Sequence, residues 1–357
     1  MTDRGSRKPR RLLAAGLAGL ALTAAACGGG GVSVHNQGGS SNNQGGGTKS
    51  GPLELAVVPK AVGFDYWTTV KKGAMCAADK LGKKGGNKNS TVKVDWTGVS
   101  AETDVSGQVD LLQNFITKQV DGMVFAATDS TALQGVVQHA KGAGIPVVEI
   151  DSGTKSRPSD VPLYATNNEA SAVKAAGLLA DALGPGKHKV AMIEFQPGAQ
   201  TNTERARGFK KGLKKHPNLK LVADRPSHSD VNKARQVTEN ILTANPDIDG
   251  IFAANEPSVI GASSAVKEAG KLDKVKIVGW DAAPDEIKAL KSGEIYALVV
   301  QNPFKMGYVG VKNIVAKIRK GKSLQSMDTG VTFVTKKNMG TPDVQSVLHP
   351  SCENPPV

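Results

Sequence analysis

What this chain lacks narrows its chemistry first. It has no nucleophile-elbow spacing G-x-S-x-G, no H-E-x-x-H and no cysteine pair at zinc spacing. Its six histidines are scattered, and His188, His216 and His228 fall in polar turns. Gly184-Pro185-Gly186-Lys187 is too short for a phosphate-binding loop and precedes a strand, so it reads as a helix terminator and turn. No enzyme activity, cofactor or metal is therefore expected. The longest apolar run, Leu12–Ala26, has fifteen residues, fewer than the ~20 that span a bilayer comfortably. Solenoid repeats are absent. The formal net charge is +13, yet the lysines (Lys71, Lys72, Lys210, Lys211, Lys214, Lys215) are spread over helical stretches. There is no dense basic arm with interleaved aromatics. The pattern is a solvated, lysine-rich surface suited to the neighbourhood of anionic lipids, and no nucleic-acid partner is expected.

The amino-terminal stretch is specific. Arg4, Arg7, Lys8, Arg10 and Arg11 lead into the apolar run, and Leu22-Thr23-Ala24-Ala25-Ala26 precedes Cys27 and four glycines. This resembles a bacterial lipoprotein signal with its lipobox. The resemblance implies cleavage of residues 1–26 as a signal peptide and a diacylglycerol on the Cys27 thiol. Arg10-Arg11 leaves twin-arginine export open beside the general route. Residues 27–51 then form a lipidated cysteine and a flexible Gly/Ser/Asn tether. Its reach is roughly 25–30 Å, enough to hold a domain near a membrane without fixing its orientation. Removing the net +4 of the first 26 residues leaves +9. The remaining chain, about 300 residues, is enough for two domains.

Two further cysteines, Cys76 and Cys352, remain in an exported chain, where thiols tend to pair. Val70, Ala74, Ala77 and Leu81 share one helical face, and Cys76 lies off it beside Thr69, Lys72 and Lys80. A buried structural cysteine favours the apolar face, so a Cys76–Cys352 disulfide is expected.

From Leu53 onward the chain alternates with regularity. Apolar runs occur at 53–58, 92–96, 122–127, 147–150, 190–194, 219–223, 250–254, 275–279 and 297–300. Amphipathic helical stretches lie between them, at 66–81, 105–118, 133–143, 169–183, 201–215, 233–244, 258–269, 284–290 and 304–319. Strand–helix alternation of this kind predicts parallel sheets with both faces covered, and so many units overfill one sheet. The expected fold is α/β, with two doubly wound parallel-sheet lobes.

In such sheets a ligand lies beyond the carboxyl ends of the strands. Lys60, Asp151, Asn255, Trp280, Asp281 and Gln301 stand there, and Asp65 is expected to cap a helix whose first turn carries Tyr66 and Trp67. With Arg205 they supply carboxylates, amides, a guanidinium and aromatic faces. Carboxylates accept from vicinal hydroxyls, aromatic rings cover the C–H face of a sugar ring, and amides discriminate stereoisomers. The mixture suits a neutral polyhydroxylated ligand. Each residue also has a plainer role open to it: Asp281 as a loop cap, Trp280 as core, Arg205 as a surface arginine, Asn255 as a helix cap.

The sequence resembles the ribose-type solute-binding proteins of ABC sugar importers, from Leu53 to about Val347. The stretches that carry the likeness are AVVPKAVGFDYWTTVKKGA, VDGMVFAATDSTAL, GIPVVEIDS, TERARGFKKGL, FAANEPSVIGA, IVGWDAAPDEI and VVQNPFKMGY, in that order. The resemblance implies the periplasmic binding protein type 1 fold, two lobes joined by a three-segment hinge. The N-terminal lobe would be 52–166 with 302–329, and the C-terminal lobe 167–301 with 330–357. It implies ligand contacts at Tyr66, Trp67, Asp151, Arg205, Asn255, Trp280, Asp281 and Gln301, with Lys60 nearby. Ser152 stands where ribose binders carry Arg, and Ala126 where they carry Asn. Pro59-Lys60 and GVSAETDVSGQVDLLQNF are similar to the rhamnose and autoinducer-2 binders, but Asn202-Thr203 and Ala254-Asn255-Glu256 depart from the autoinducer site. The expected function is a lipid-anchored monomer on the outer face of the bacterial cytoplasmic membrane. It would capture a sugar or polyol other than ribose and deliver it to an ABC permease. An autoinducer-2 or other signal receptor of the same fold, and an exported sugar-processing enzyme, are the alternatives.

Overall fold

The computed structural model describes residues 48–83 and 91–355. Cys27, the signal and the tether up to residue 47 lie outside them.

The apolar runs form strands covered on both faces. The first sheet contains β1 (Leu53–Val58), β2 (Val92–Trp96), β3 (Gly122–Phe125), β4 (Val147–Ile150), β5 (Leu163–Ala165) and the short β11 (Met327–Asp328). Its order is β11-β5-β4-β3-β1-β2, all parallel. The second sheet contains β6 (His188–Glu194), β7 (Leu219–Pro226), β8 (Gly250–Ala253), β9 (Lys276–Trp280), β10 (Ala297–Gln301) and β12 (Val331–Thr335). Its order, β12-β10-β9-β8-β6-β7, repeats the first, except that β12 is antiparallel. The chain leaves β11 for the other lobe through Gly330 (φ +86°) and enters the second sheet at the edge where its parallel strands end, so β12 runs against β10.

Alternate residues of each strand serve opposite cores. Leu53, Leu55 and Val57 pack under α1 (Asp65–Lys83) and α9 (Pro303–Lys320). Ala56 and Val58 face α2 (Val105–Thr117) and α3 (Gln134–Gly142). In the second sheet Val190 and Met192 meet α4 (Asn168–Leu183) and α5 (Gln200–Leu213), while Ala191 and Ile193 meet α6 (Val231–Ala244) and α7 (Glu256–Glu268). α8 (Pro284–Ser292) and α10 (Pro342–Leu348) complete that side. The chain passes between sheets at 166–167, 301–302 and 329–330.

Helix pairs approach closely at glycines. A Cβ on Gly73 of α1 would strike the Phe304 carbonyl, and one on Gly307 of α9 would strike the Val70 carbonyl. These are backbone atoms of a packed helix and cannot give way. Gly307→Ala should therefore cost about 1–3 kcal/mol or more in urea unfolding. Gly135→Ala, on an exposed turn of α3 with open space around it, should be neutral or stabilise by up to about 1 kcal/mol. Equal stability of the two variants would refute the close crossing.

Two expectations need correction. α1 begins at Asp65, one residue earlier than expected, so Asp65 lies in the first turn and is not the cap. The strands β5, β11 and β12 and the helix α10 were not expected. β5 and β11 are three and two residues long, too short to carry a pattern. β12 is an edge strand whose apolar residues are interrupted by Thr332 and Thr335, so it does not read as a continuous apolar run.

Candidate functional site

The strand ends of the two sheets face each other. Asp151 follows β4 and Asp281 follows β9, and these strands hold equivalent places in the two sheets. Both aspartates have left-handed backbones, φ 57° and 84°. That conformation is uncommon for a non-glycine residue, though Asp tolerates it better than most. The matching turns aim one carboxylate from each lobe into a shared cleft.

The cleft holds a narrow cavity of about 20 Å³, lined by Lys60, Tyr66, Trp67, Asp151, Arg205, Asn255, Asp281 and Gln301. Phe64, Glu102, Phe195, Glu256 and Pro257 also line it. Of the expected residues, Trp280 alone does not. It is fully buried in the second lobe's core, edge-on to Phe252, and the Arg205 guanidinium lies 4.3 Å from its ring centroid. It acts as the floor under Arg205, while Phe195 and Trp67 supply aromatic surface to the cavity.

Lys60 is almost fully buried. Its Nζ lies 3.2 Å from Asp151 Oδ2 and 3.9 Å from Glu102 Oε1, and it donates to Thr201 Oγ1 of the other lobe at 3.3 Å. The rings of Trp67 and Phe195 flank it with centroids at 5.6 and 5.2 Å. The Tyr66 hydroxyl donates to Asp151 Oδ1 at 2.8 Å. Arg205 Nε donates to Asn168 Oδ1 at 2.9 Å, and its Nη1 to the Ala254 carbonyl at 2.7 Å. Gln301 Nε2 donates to Asp281 Oδ1 at 2.8 Å, and the Glu256 amide to Asp281 Oδ2 at 3.2 Å. Gln301 Oε1 has no hydrogen-bond partner. Asn255 caps α7 through Ser258 N and donates to Ser229 Oγ at 3.0 Å, so its plainer capping role and its place in the cavity coexist.

Two cations thus face four carboxylates. Burial pushes the Tyr66 phenol well above its usual range, and the Asp151 and Asp281 carboxylates push it further, so it stays a proton donor. Burial also raises Asp281, against the pull of Arg205. Glu256 is raised to about 7, by burial and by the nearby Asp281 and Asp65. Burial and the Asp281 and Glu256 carboxylates hold Glu286 well above its ordinary value.

Glu256 stands beside Asn255 at the strand end where a ligand is expected, but was not among the expected ligand contacts, because it also reads as a first-turn helix residue. It closes the cleft. Its two carboxylate oxygens accept from the Asp65 and Tyr66 amides at 3.1 and 2.9 Å. The open N–H groups at the start of α1 are thus capped by the opposite lobe. Glu102 bridges in the reverse direction, accepting from Ser229 Oγ at 2.7 Å. Ser130 N donates to the Gly198 carbonyl at 2.9 Å, and Gly153 N to Gln200 Oε1 at 2.7 Å. Phe195 could have been found, because it follows an apolar run as Asp151 does. Glu102 lies in a polar loop and carried no such signal. Among the described residues no cluster of potential metal ligands occurs.

Residues 55–323 match the profile of the periplasmic binding protein domain. The chain belongs to the periplasmic binding protein family. It is 34% identical over 275 residues to the D-allose-binding periplasmic protein of Escherichia coli, covering 75% of this chain and 86% of that one. A carbohydrate transporter solute-binding protein of Agrobacterium radiobacter, solved with D-arabinose, superposes with a TM-score of 0.77 at 34% identity, over 84% of this chain and 99% of that one. An ABC transporter solute-binding protein of Agrobacterium vitis with bound D-fucose gives 0.77 and 34% over 83% and 100%. The first of these relatives is a sugar-binding protein and the other two are solute-binding proteins of transporters. The fold of this binding protein is accordingly two α/β lobes, each on a six-stranded sheet.

Proposed function

We propose that the protein captures a neutral monosaccharide or small polyol between its lobes and delivers it to an ABC permease, tethered to the membrane through a lipid on Cys27. The observation that carries this reading is the pair of equivalent aspartates, one per lobe, in a narrow cleft cavity flanked by Trp67 and Phe195. Carboxylates there accept from hydroxyls, and Gln301 Oε1 offers a further acceptor. Four carboxylates against two cations disfavour sugar phosphates and sugar acids. Lys60 and Tyr66 now reach Asp151 themselves. A sugar ring would therefore exchange these internal bonds for its own hydroxyls as the lobes close around it.

Calorimetry against D-allose, D-arabinose, D-fucose, other pentoses and hexoses, pentitols, autoinducer-2 and sugar phosphates tests the reading. One neutral sugar or polyol should bind with unit stoichiometry and remain unconverted. Preference for a sugar phosphate, or for autoinducer-2, would replace it, and turnover would restore the enzyme alternative.

Among the described residues no helix is long and apolar enough to cross a membrane. Cys27→Ala should therefore move the protein from the membrane fraction to the soluble one. Retention on membranes through high-salt and carbonate washing would count against the lipid anchor.

A further inference from the structure

Cys76 and Cys352 are joined by a disulfide with Cα atoms 5.5 Å apart. The two ends belong to different lobes. Cys76 sits in α1, which packs on the first sheet with α9. Cys352 follows α10, whose Val344, Val347 and Leu348 join the core of the second sheet beside Val334 and Val300. Only His349, Pro350 and Ser351 separate α10 from Cys352. The chain itself crosses between lobes three times, so the disulfide is a fourth connection. It stands apart from the 301–302 crossing, across a hollow lined by Thr69, Lys72, Ile287, Pro303, Leu348 and Pro350. The tail therefore bridges open space and is anchored at its far end by the bond. Cys76 is 3% exposed although it lies off the apolar face of α1, and its Sγ is 3.8 Å from the Cys352 carbonyl.

We propose that this disulfide is a strap that limits how far the two lobes open. The inference rests on the closure of the lobes around a ligand proposed above. An extended chain gains ~3.3–3.6 Å per residue, so the Leu348–Cys352 span can reach at most roughly 13–14 Å. Wide openings of the cleft would need more slack than that segment holds, and Pro350 removes part of its freedom. The strap excludes the widest members of the ligand-free ensemble. The protein then sits closer to the binding-competent form, and less of the ligand's binding energy is used to select it.

Hydrogen exchange on the ligand-free mature protein tests this directly. The amides of Ser130 and Gly153 bond across the cleft, so their exchange reports opening, while amides of β1 and β8 report unfolding of each lobe. Cys352 is exposed, and excess dithiothreitol can reduce the bond, taking two electrons and two protons to leave two thiols and oxidised dithiol. Either reduction or Cys352→Ser should speed exchange at Ser130 and Gly153 by about tenfold or more, with β1 and β8 unchanged. The radius of gyration from small-angle scattering should rise in parallel. Faster exchange confined to 342–355, with Ser130 and Gly153 unaltered, would mean that the bond only pins the tail and would overturn the proposal. If Ser130 exchanges no faster than β1 with the bond absent, the lobes do not open at all, and the closure reading falls with the strap.

Discussion

Asp151→Asn and Asp281→Asn should each weaken sugar binding by about ten- to a hundredfold while leaving the fold intact. Each aspartate already holds two internal partners, Tyr66 and Lys60 for Asp151, Gln301 and the Glu256 amide for Asp281. A carboxylate has about four lone-pair sites, which leaves room for vicinal hydroxyls. A hydrogen bond to a charged group contributes about 1.5–3 kcal/mol, and every 1.4 kcal/mol is about tenfold in affinity. Asn is the informative replacement, because it keeps the shape and tolerates the left-handed backbone both positions adopt. Ala at either position adds strain of about 1–2 kcal/mol, so it should lower stability as well as affinity. Calorimetry gives the affinity and urea unfolding gives the control. Undiminished affinity in both Asn variants, with stability preserved, would place the ligand elsewhere.

Arg205→Ala should be more damaging to the fold, lowering the unfolding free energy by about 3–5 kcal/mol as well as abolishing binding. The guanidinium is 2% exposed and fixed on four sides. It donates to Asn168 and to the Ala254 carbonyl, and lies over Trp280 and Phe195. Truncation leaves two buried acceptors without their donor, exposes the Trp280 face to a void, and removes the cation that offsets the buried Asp281. Arg205→Lys keeps the charge without the planar fork and should fall between the two. Urea unfolding of the three proteins measures the order. A loss of less than about 1 kcal/mol in Arg205→Ala would mean that the network is not cooperative.

The site was legible wherever a polar residue directly ended an apolar run, since a parallel strand delivers its next residue to the ligand edge. Asp151, Asp281 and Gln301 were found that way, and Arg205 by its place in a family motif. Trp280 satisfies the same rule by position yet points into the core, because alternation along β9 sends Val278 and Trp280 to one face. A linear pattern gives the strand end but not the side chain's direction when both faces are buried. Glu256 shared the strand-end signal of Asn255, but its role carried no linear signal and Glu102 had none at all, because the partners of both lie on the opposite lobe.

The sequence by itself determined the alternation of strands and helices, the division into two lobes' worth of βα units and the residues at the strand ends. These follow from periodicity and from short-range sterics, which a chain carries locally. The pairing of Cys76 with Cys352 was expected from compartment and helical position, and the expected lobe bounds already set its two ends in different lobes. Only the tertiary structure decided which residues hold the lobes together, which aromatic faces the cavity, and how the short strands β5 and β11 join their sheet. Those depend on contacts such as Asp65–Glu256, 191 residues apart, whose energies arise only when the two lobes meet.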